Sequence, residues 1–161
     1  MAFILTNIEV KTLWGLPYIS FNKGGNMSRD CNKPFHKHLM LRGHITNPPK
    51  NEDEVIQWTK ELVSFLNMKI LQGPFATYLD VEGNRGLTCV TMIETSHIAF
   101  HIWDESDPAL IQLDIYTCGS LDIYGTLSYL KTFFDFTSYE YLVYDREHSF
   151  NLIEADLHSA D

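Results

Sequence analysis

The densest run of reactive side chains is Glu94-Thr95-Ser96-His97-Ile98-Ala99-Phe100-His101-Ile102-Trp103-Asp104-Glu105, followed closely by Asp114-Ile115-Tyr116-Thr117-Cys118-Gly119. A hydroxyl beside an imidazole, as in Ser96-His97, is the pairing that activates an oxygen nucleophile. A hydrolase built on it lacks the Gly-x-Ser-x-Gly elbow and the strand–turn–helix frame that such an elbow needs. His97 and His101 with Cys118 offer zinc-ligand chemistry, but the clustered spacings of ordinary zinc sites are absent. The same residues also fit a plainer arrangement, polar side chains satisfied at a sheet edge. Residue types alone leave these readings open.

The elements that must position these groups follow from periodicity. Residues 38–44 alternate as a half-buried strand does, and Asn47-Pro48-Pro49 breaks the pattern. Asn51 with Glu54 three residues later signals a helix start. Val55, Trp58, Thr59, Leu62, Phe65 and Leu66 then recur at three and four, which predicts an amphipathic helix over 52–66. Residues 68–71 and 75–79 read as strand, interrupted at Gly73-Pro74, and 83–86 as a loop. Three strands are expected near 87–95, 97–103 and 110–117. In the second, Ile98, Phe100 and Ile102 oppose His97, Ala99, His101 and Trp103; in the third, Ile111, Leu113 and Ile115 oppose Gln112, Asp114, Tyr116 and Cys118. Two neighbouring strands thus each turn reactive side chains to one face. A helix over about 121–134 and a last strand over 139–144 complete the series. The order predicts an α+β fold, a mainly antiparallel sheet with helices packed on one face as a two-layer sandwich.

The combined pattern resembles the S-adenosylmethionine decarboxylase proenzymes of the prokaryotic class, from about Phe35 to Asp145. The residues that carry the resemblance are Ser96-His97, His101, Trp103 with Glu105, and Thr117-Cys118-Gly119, together with the opening strand bearing His38-Leu39. The resemblance implies a pyruvoyl cofactor that the chain makes from its own Ser96, with no metal. Ser96 would attack the Thr95 carbonyl and turn the peptide bond into an ester. A base similar in place to His101 would then drive elimination, leaving chains 1–95 and 96–161. Thr88 stands eight residues before Ser96, where the family carries a serine hydroxyl that assists processing. Cys118 resembles the proton donor of turnover, Glu105 the carboxylate that holds the ribose hydroxyls, and Tyr78 an aromatic that stacks on adenine. The substrate implied is S-adenosylmethionine and the product the aminopropyl donor for polyamine synthesis, with a homodimer that shares its sites at the interface. The same machinery would also serve a decarboxylase of ornithine or arginine, and an uncleaved homologue would act as an interaction or regulatory subunit. The chain departs from the family pattern at Thr95, usually Glu, in a longer 80–86 loop, and in an extension over 1–34.

Composition sets outer limits. The chain of 161 residues is one domain by length beyond that extension, and its formal charge of −9 with no Lys/Arg cluster disfavours nucleic acid. No apolar run approaches a membrane span. The first residues carry no basic, apolar leader, and three cysteines, Cys31, Cys89 and Cys118, do not make a disulfide framework. These features predict a cytoplasmic protein.

Overall fold

The computed structural model describes residues 36–157; the extension expected over 1–34 lies outside them. Alternation after His36 builds β1 (Lys37–Thr46), which buries Leu39, Leu41 and Ile45 on one face. The helix signal becomes α1 (Glu52–Phe65). Asn51 caps it, its Oδ1 accepting from the amides of Asp53 and Glu54 at 3.0 and 3.3 Å. The carboxylates of Glu52, Asp53 and Glu54 lie where the helix dipole favours negative charge.

Four strands follow, β2 (Ile70–Leu79), β3 (Gly86–Ile93), β4 (Ser96–Trp103) and β5 (Ala109–Thr117). Then come α2 (Ile123–Leu130), capped by Asp122, β6 (Asp135–Asp145) and β7 (Asn151–Asp156). The strands form one antiparallel sheet in the order β2-β3-β4-β5-β1-β6-β7, so the fold is the expected α+β sandwich. No helix of the described residues is long and apolar enough to cross a membrane.

One face of the sheet is the core. Trp58 of α1 stacks on Phe133 at 4.6 Å and meets Phe134 and Phe100 edge-on at 4.9 and 5.8 Å. Ile98, Phe100, Ile102, Ile111, Leu113 and Ile115 are buried against this cluster. Among the described residues no helix covers the other face; it bears the odd-numbered residues of β4 and the even-numbered residues of β5 that alternation assigned to it.

The structure departs from the sequence reading at several boundaries. β2 is one strand, with the Gly73-Pro74 step absorbed as a register shift against β3. The third strand stops at Ile93, so Glu94 and Thr95 make a two-residue turn and Ser96 opens β4. The second helix is trimmed to eight residues. The strand expected last over 139–144 is longer and is followed by β7, an edge strand with no buried residue and hence no clear two-residue pattern. Val63 is buried where Phe65 was expected; Phe65 is half exposed and stacks on Tyr129.

Candidate active site

The turn at Glu94-Thr95 places the Thr95–Ser96 peptide at the end of the sheet, beside the end of β5. Ser96 pairs with Thr117 in register, and the backbone N–H of Cys118 donates to the Thr95 carbonyl at 3.0 Å. A donor aimed at that oxygen draws electron density from the carbonyl carbon and would stabilise an oxyanion formed there. Ser96 has φ of +147°, a region an L-residue rarely occupies. Strain of this kind costs on the order of 1–3 kcal/mol and is held in place by its surroundings. The Thr95 hydroxyl is buried without a hydrogen-bond partner. The backbone is therefore polarised and strained at one peptide bond.

A hydrogen-bonded chain leads away from Ser96 across the open face. Ser96 Oγ is 3.2 Å from His97 Nδ1, and His97 Nε2 is 3.2 Å from Asp114 Oδ1. His38 Nε2 reaches the same Asp114 oxygen at 3.4 Å. Register explains the convergence: His97 and His38 both lie opposite Tyr116, so Asp114, two residues back on β5, is diagonal to each. Burial pushes the Asp114 carboxyl up, but the hydrogen bonds and attraction of His38 and His97 outweigh it and hold the group below the usual carboxylate range.

A second cluster lies further along β4. Thr88 is paired in register with His101, and their Oγ1 and Nδ1 atoms are 3.0 Å apart. Trp103 stacks on the His101 ring at 5.6 Å. Gly86 makes this register possible, since a Cβ there would lie 1.8 Å from the Ile102 carbonyl oxygen. Five residue steps along the strand separate Ser96 from His101, about 17 Å at an antiparallel rise. One chain therefore does not bring the candidate nucleophile and the candidate elimination base together. A groove of about 420 Å³ runs along this face between His101 and Asp114, with Met40, Arg42 and Gln112 in its walls.

A match to a known family fits this arrangement. The family model for S-adenosylmethionine decarboxylase matches residues 38–147, more than half of the chain. The chain belongs to the S-adenosylmethionine decarboxylase family. Membership makes it one of a family of decarboxylases, lyases that are pyruvoyl-dependent in general, and supports S-adenosylmethionine decarboxylase function.

Within this decarboxylase domain the other candidate residues are spread along the sheet. Cys118 is a half-buried free thiol just after β5. Glu105 is exposed, and its Oε1 accepts from the Gly83 amide. Tyr78 is opposite core residue Leu87 and packs against the core face, whereas Thr77, one residue earlier, shares the register of Thr88 and His101. The Tyr78 hydroxyl donates to Asp104 Oδ2 at 2.7 Å, which pushes the phenol up. The structure thus sets Tyr78 on the side of the sheet opposite His101, and Phe75 is the exposed aromatic of β2 on the open side. Among the described residues no group of three or more His, Cys, Asp or Glu side chains converges as metal ligands would. His97 instead faces Asp114, and His101 faces Thr88.

Sequence reasoning passed over two arrangements. One is the partnership of Asp114 and His38 with His97, visible only as polar residues alternating on one face. The other is the cluster around Asp104, whose side chain is 2% exposed. Arg85 Nε donates to it at 2.7 Å and Lys50 Nζ lies at 3.0 Å, while Trp103 Nε1 donates to Asn84 Oδ1 at 3.1 Å. Burial pushes the Asp104 carboxyl up, but hydrogen bonds from Arg85, Tyr78 and Lys50 outweigh it and bring it down to about 2. The longer 80–86 loop is thereby strapped to Trp103, Asp104 and Glu105. Alternation could have flagged Asp104, because it continues the buried phase of β4 as a charge.

Proposed function

We propose that the chain is the proenzyme of a pyruvoyl-dependent S-adenosylmethionine decarboxylase that cleaves itself between Thr95 and Ser96 in the cytoplasm and works as a homodimer. The observation that carries this reading is the state of the Thr95–Ser96 peptide: positive φ at Ser96 and a Cys118 N–H on the Thr95 carbonyl. These features suit a group made from Ser96 itself, since they favour attack by its hydroxyl on the preceding carbonyl. The resulting ester would be eliminated by removal of the Ser96 α-proton. The ketone left on the new chain supplies the electron sink for loss of carbon dioxide.

The chain's own residues take the remaining tasks. His101 serves as the elimination base, with the Thr88 hydroxyl fixing its ring orientation. The span of about 17 Å to Ser96 of the same chain favours a site completed by a second copy, open face to open face, so that His101 of one chain serves Ser96 of the other. Cys118, a half-buried free thiol and so a candidate proton source, returns a proton to the substrate carbon. Glu105 accepts hydrogen bonds from the ribose hydroxyls, which selects a nucleoside substrate over ornithine or arginine. The product would be the aminopropyl donor of polyamine synthesis. The open-face position of Phe75 suits it better than Tyr78 for stacking on adenine.

Two measurements test the reading. Denaturing mass spectrometry should show fragments 1–95 and 96–161, the second without a free amino terminus, while Ser96→Ala stays whole at 18.6 kDa. Release of labelled carbon dioxide should be fastest from S-adenosylmethionine. A parent chain that remains whole and silent would mark an uncleaved homologue. Preference for ornithine or arginine would overturn the substrate assignment.

A further inference from the structure

The elimination base proposed above stands about 17 Å along β4 from Ser96 of its own chain, yet the first step of processing needs a base at the Ser96 hydroxyl. We propose that His97, oriented by Asp114, is the general base and then the general acid of the first processing step, the shift of the Thr95 acyl group from the Ser96 nitrogen to its oxygen. The inference rests on the self-cleavage reading and assigns it a residue.

The hydrogen-bonding capacities of the groups fix the direction of the chain. An ionised carboxylate only accepts, so the His97 nitrogen facing Asp114, Nε2, carries the hydrogen. In neutral imidazole the other nitrogen, Nδ1, then holds the lone pair, and it is the one 3.2 Å from Ser96 Oγ. His38 is held the same way round. Arg146 has only donors to offer its Nδ1 at 3.4 Å, so its Nε2–H also points to Asp114. Asp114 thus receives two N–H donors on one oxygen and keeps the His97 lone pair on Ser96. Serine, histidine and aspartate stand in the relation of a catalytic triad, with the carbonyl to be attacked one bond along the serine's own backbone.

The step balances within the chain. Ser96 Oγ forms a bond to the Thr95 carbonyl carbon as its proton passes to His97 Nδ1. The oxyanion takes the Cys118 N–H. The C–N bond to Ser96 then breaks, and the nitrogen recovers the proton from His97. The outcome is an ester and a free amine, with His97 restored and no other reactant consumed.

The test separates the two processing steps in purified full-length protein. The parent is followed first; a parent that never cleaves sinks the self-cleavage reading itself and leaves the His97 role with nothing to act on. With a cleaving parent, His97→Ala should lose at least about 100-fold in cleavage rate, and its whole chain should resist hydroxylamine because the bond is still an amide. His101→Ala should accumulate a whole chain that hydroxylamine does cut, because the ester has formed. Imidazole added to His97→Ala should restore part of the rate. Asp114→Asn should slow cleavage, and nitrogen NMR of the His97 ring should show the hydrogen moved from Nε2 toward Nδ1, a change that loosened packing alone would not produce. Circular dichroism would confirm that each variant is folded. Parent-rate cleavage in folded His97→Ala and His97→Gln, or a hydroxylamine-sensitive ester in either, would overturn the proposal.

Discussion

Replacing Asp104 by asparagine keeps the shape of the side chain and removes its charge from the centre of the loop clasp. The carboxylate is 2% exposed and meets Arg85, Lys50 and the Tyr78 hydroxyl within 3.0 Å. Holding this carboxyl at about 2 instead of its ordinary 3.8 stabilises the fold by roughly 2 kcal/mol, taking 1.36 kcal/mol per pH unit. Loss of a partner from a fully buried ion pair costs more, about 3–5 kcal/mol. Here Arg85 and Lys50 are 39% and 59% exposed, so water can solvate the charges left behind and the lower figure applies.

The sign follows from the depressed value. The contribution is whole above pH 5 or so, begins to fade near 3.8, the unfolded value, and is lost as pH falls through about 2. Urea unfolding of Ser96→Ala with and without Asp104→Asn, at one protein concentration and from pH 7 to pH 2.5, measures it in an unbroken chain. At pH 7 the double variant should be less stable by about 2 kcal/mol, or roughly 4–8 °C in melting temperature, and the gap should close toward pH 2.5. A gap that stays constant over that range, or one below about 0.5 kcal/mol at pH 7, would refute the charge-based account.

Three further outcomes are expected. Cys118→Ala should still process, yet release carbon dioxide at least about 100-fold more slowly; parent-like turnover would discard the donor role. Glu105→Gln should process normally and raise KM for S-adenosylmethionine at least about tenfold, since each charge-assisted hydrogen bond contributes about 1.5–3 kcal/mol; an unchanged KM would place the ribose elsewhere. Gly86→Ala drives a Cβ to 1.8 Å from the Ile102 carbonyl oxygen and must part β3 from β4; it should cost at least about 2 kcal/mol and slow processing through the Thr88–His101 pair, and parent-like melting would contradict the register.

Alternation made the open face of β4 and β5 legible, because His97, His101, Gln112, Asp114 and Tyr116 alternate with apolar core residues. Register was not legible. Nothing in the sequence says that His38 and His97 both stand opposite Tyr116, so the shared approach to Asp114 emerges only when β1 is seen beside β5. The Asp104 clasp was hidden for a related reason: Lys50, Tyr78, Arg85 and Asp104 come from four different places in the chain. The edge strand β7 escaped because a strand with no buried residue leaves no period to read.

The positions of the two imidazoles divide the proposed processing into steps with different requirements. His97 and Asp114 reach Ser96 within one chain, so formation of the ester needs no second copy. His101 is held by Thr88 five strand residues away, so in the proposed dimer it would reach Ser96 of the second copy and elimination would wait for pairing. The strain and polarisation at Thr95–Ser96 favour leaving the amide. A chain at low concentration would therefore rest as the ester, and assembly would complete both the cofactor and the site that uses it. Coupling the second step to pairing has a physical advantage. A ketone made on a lone chain would be exposed on an open sheet face, whereas one made at the proposed interface would be enclosed as soon as it formed.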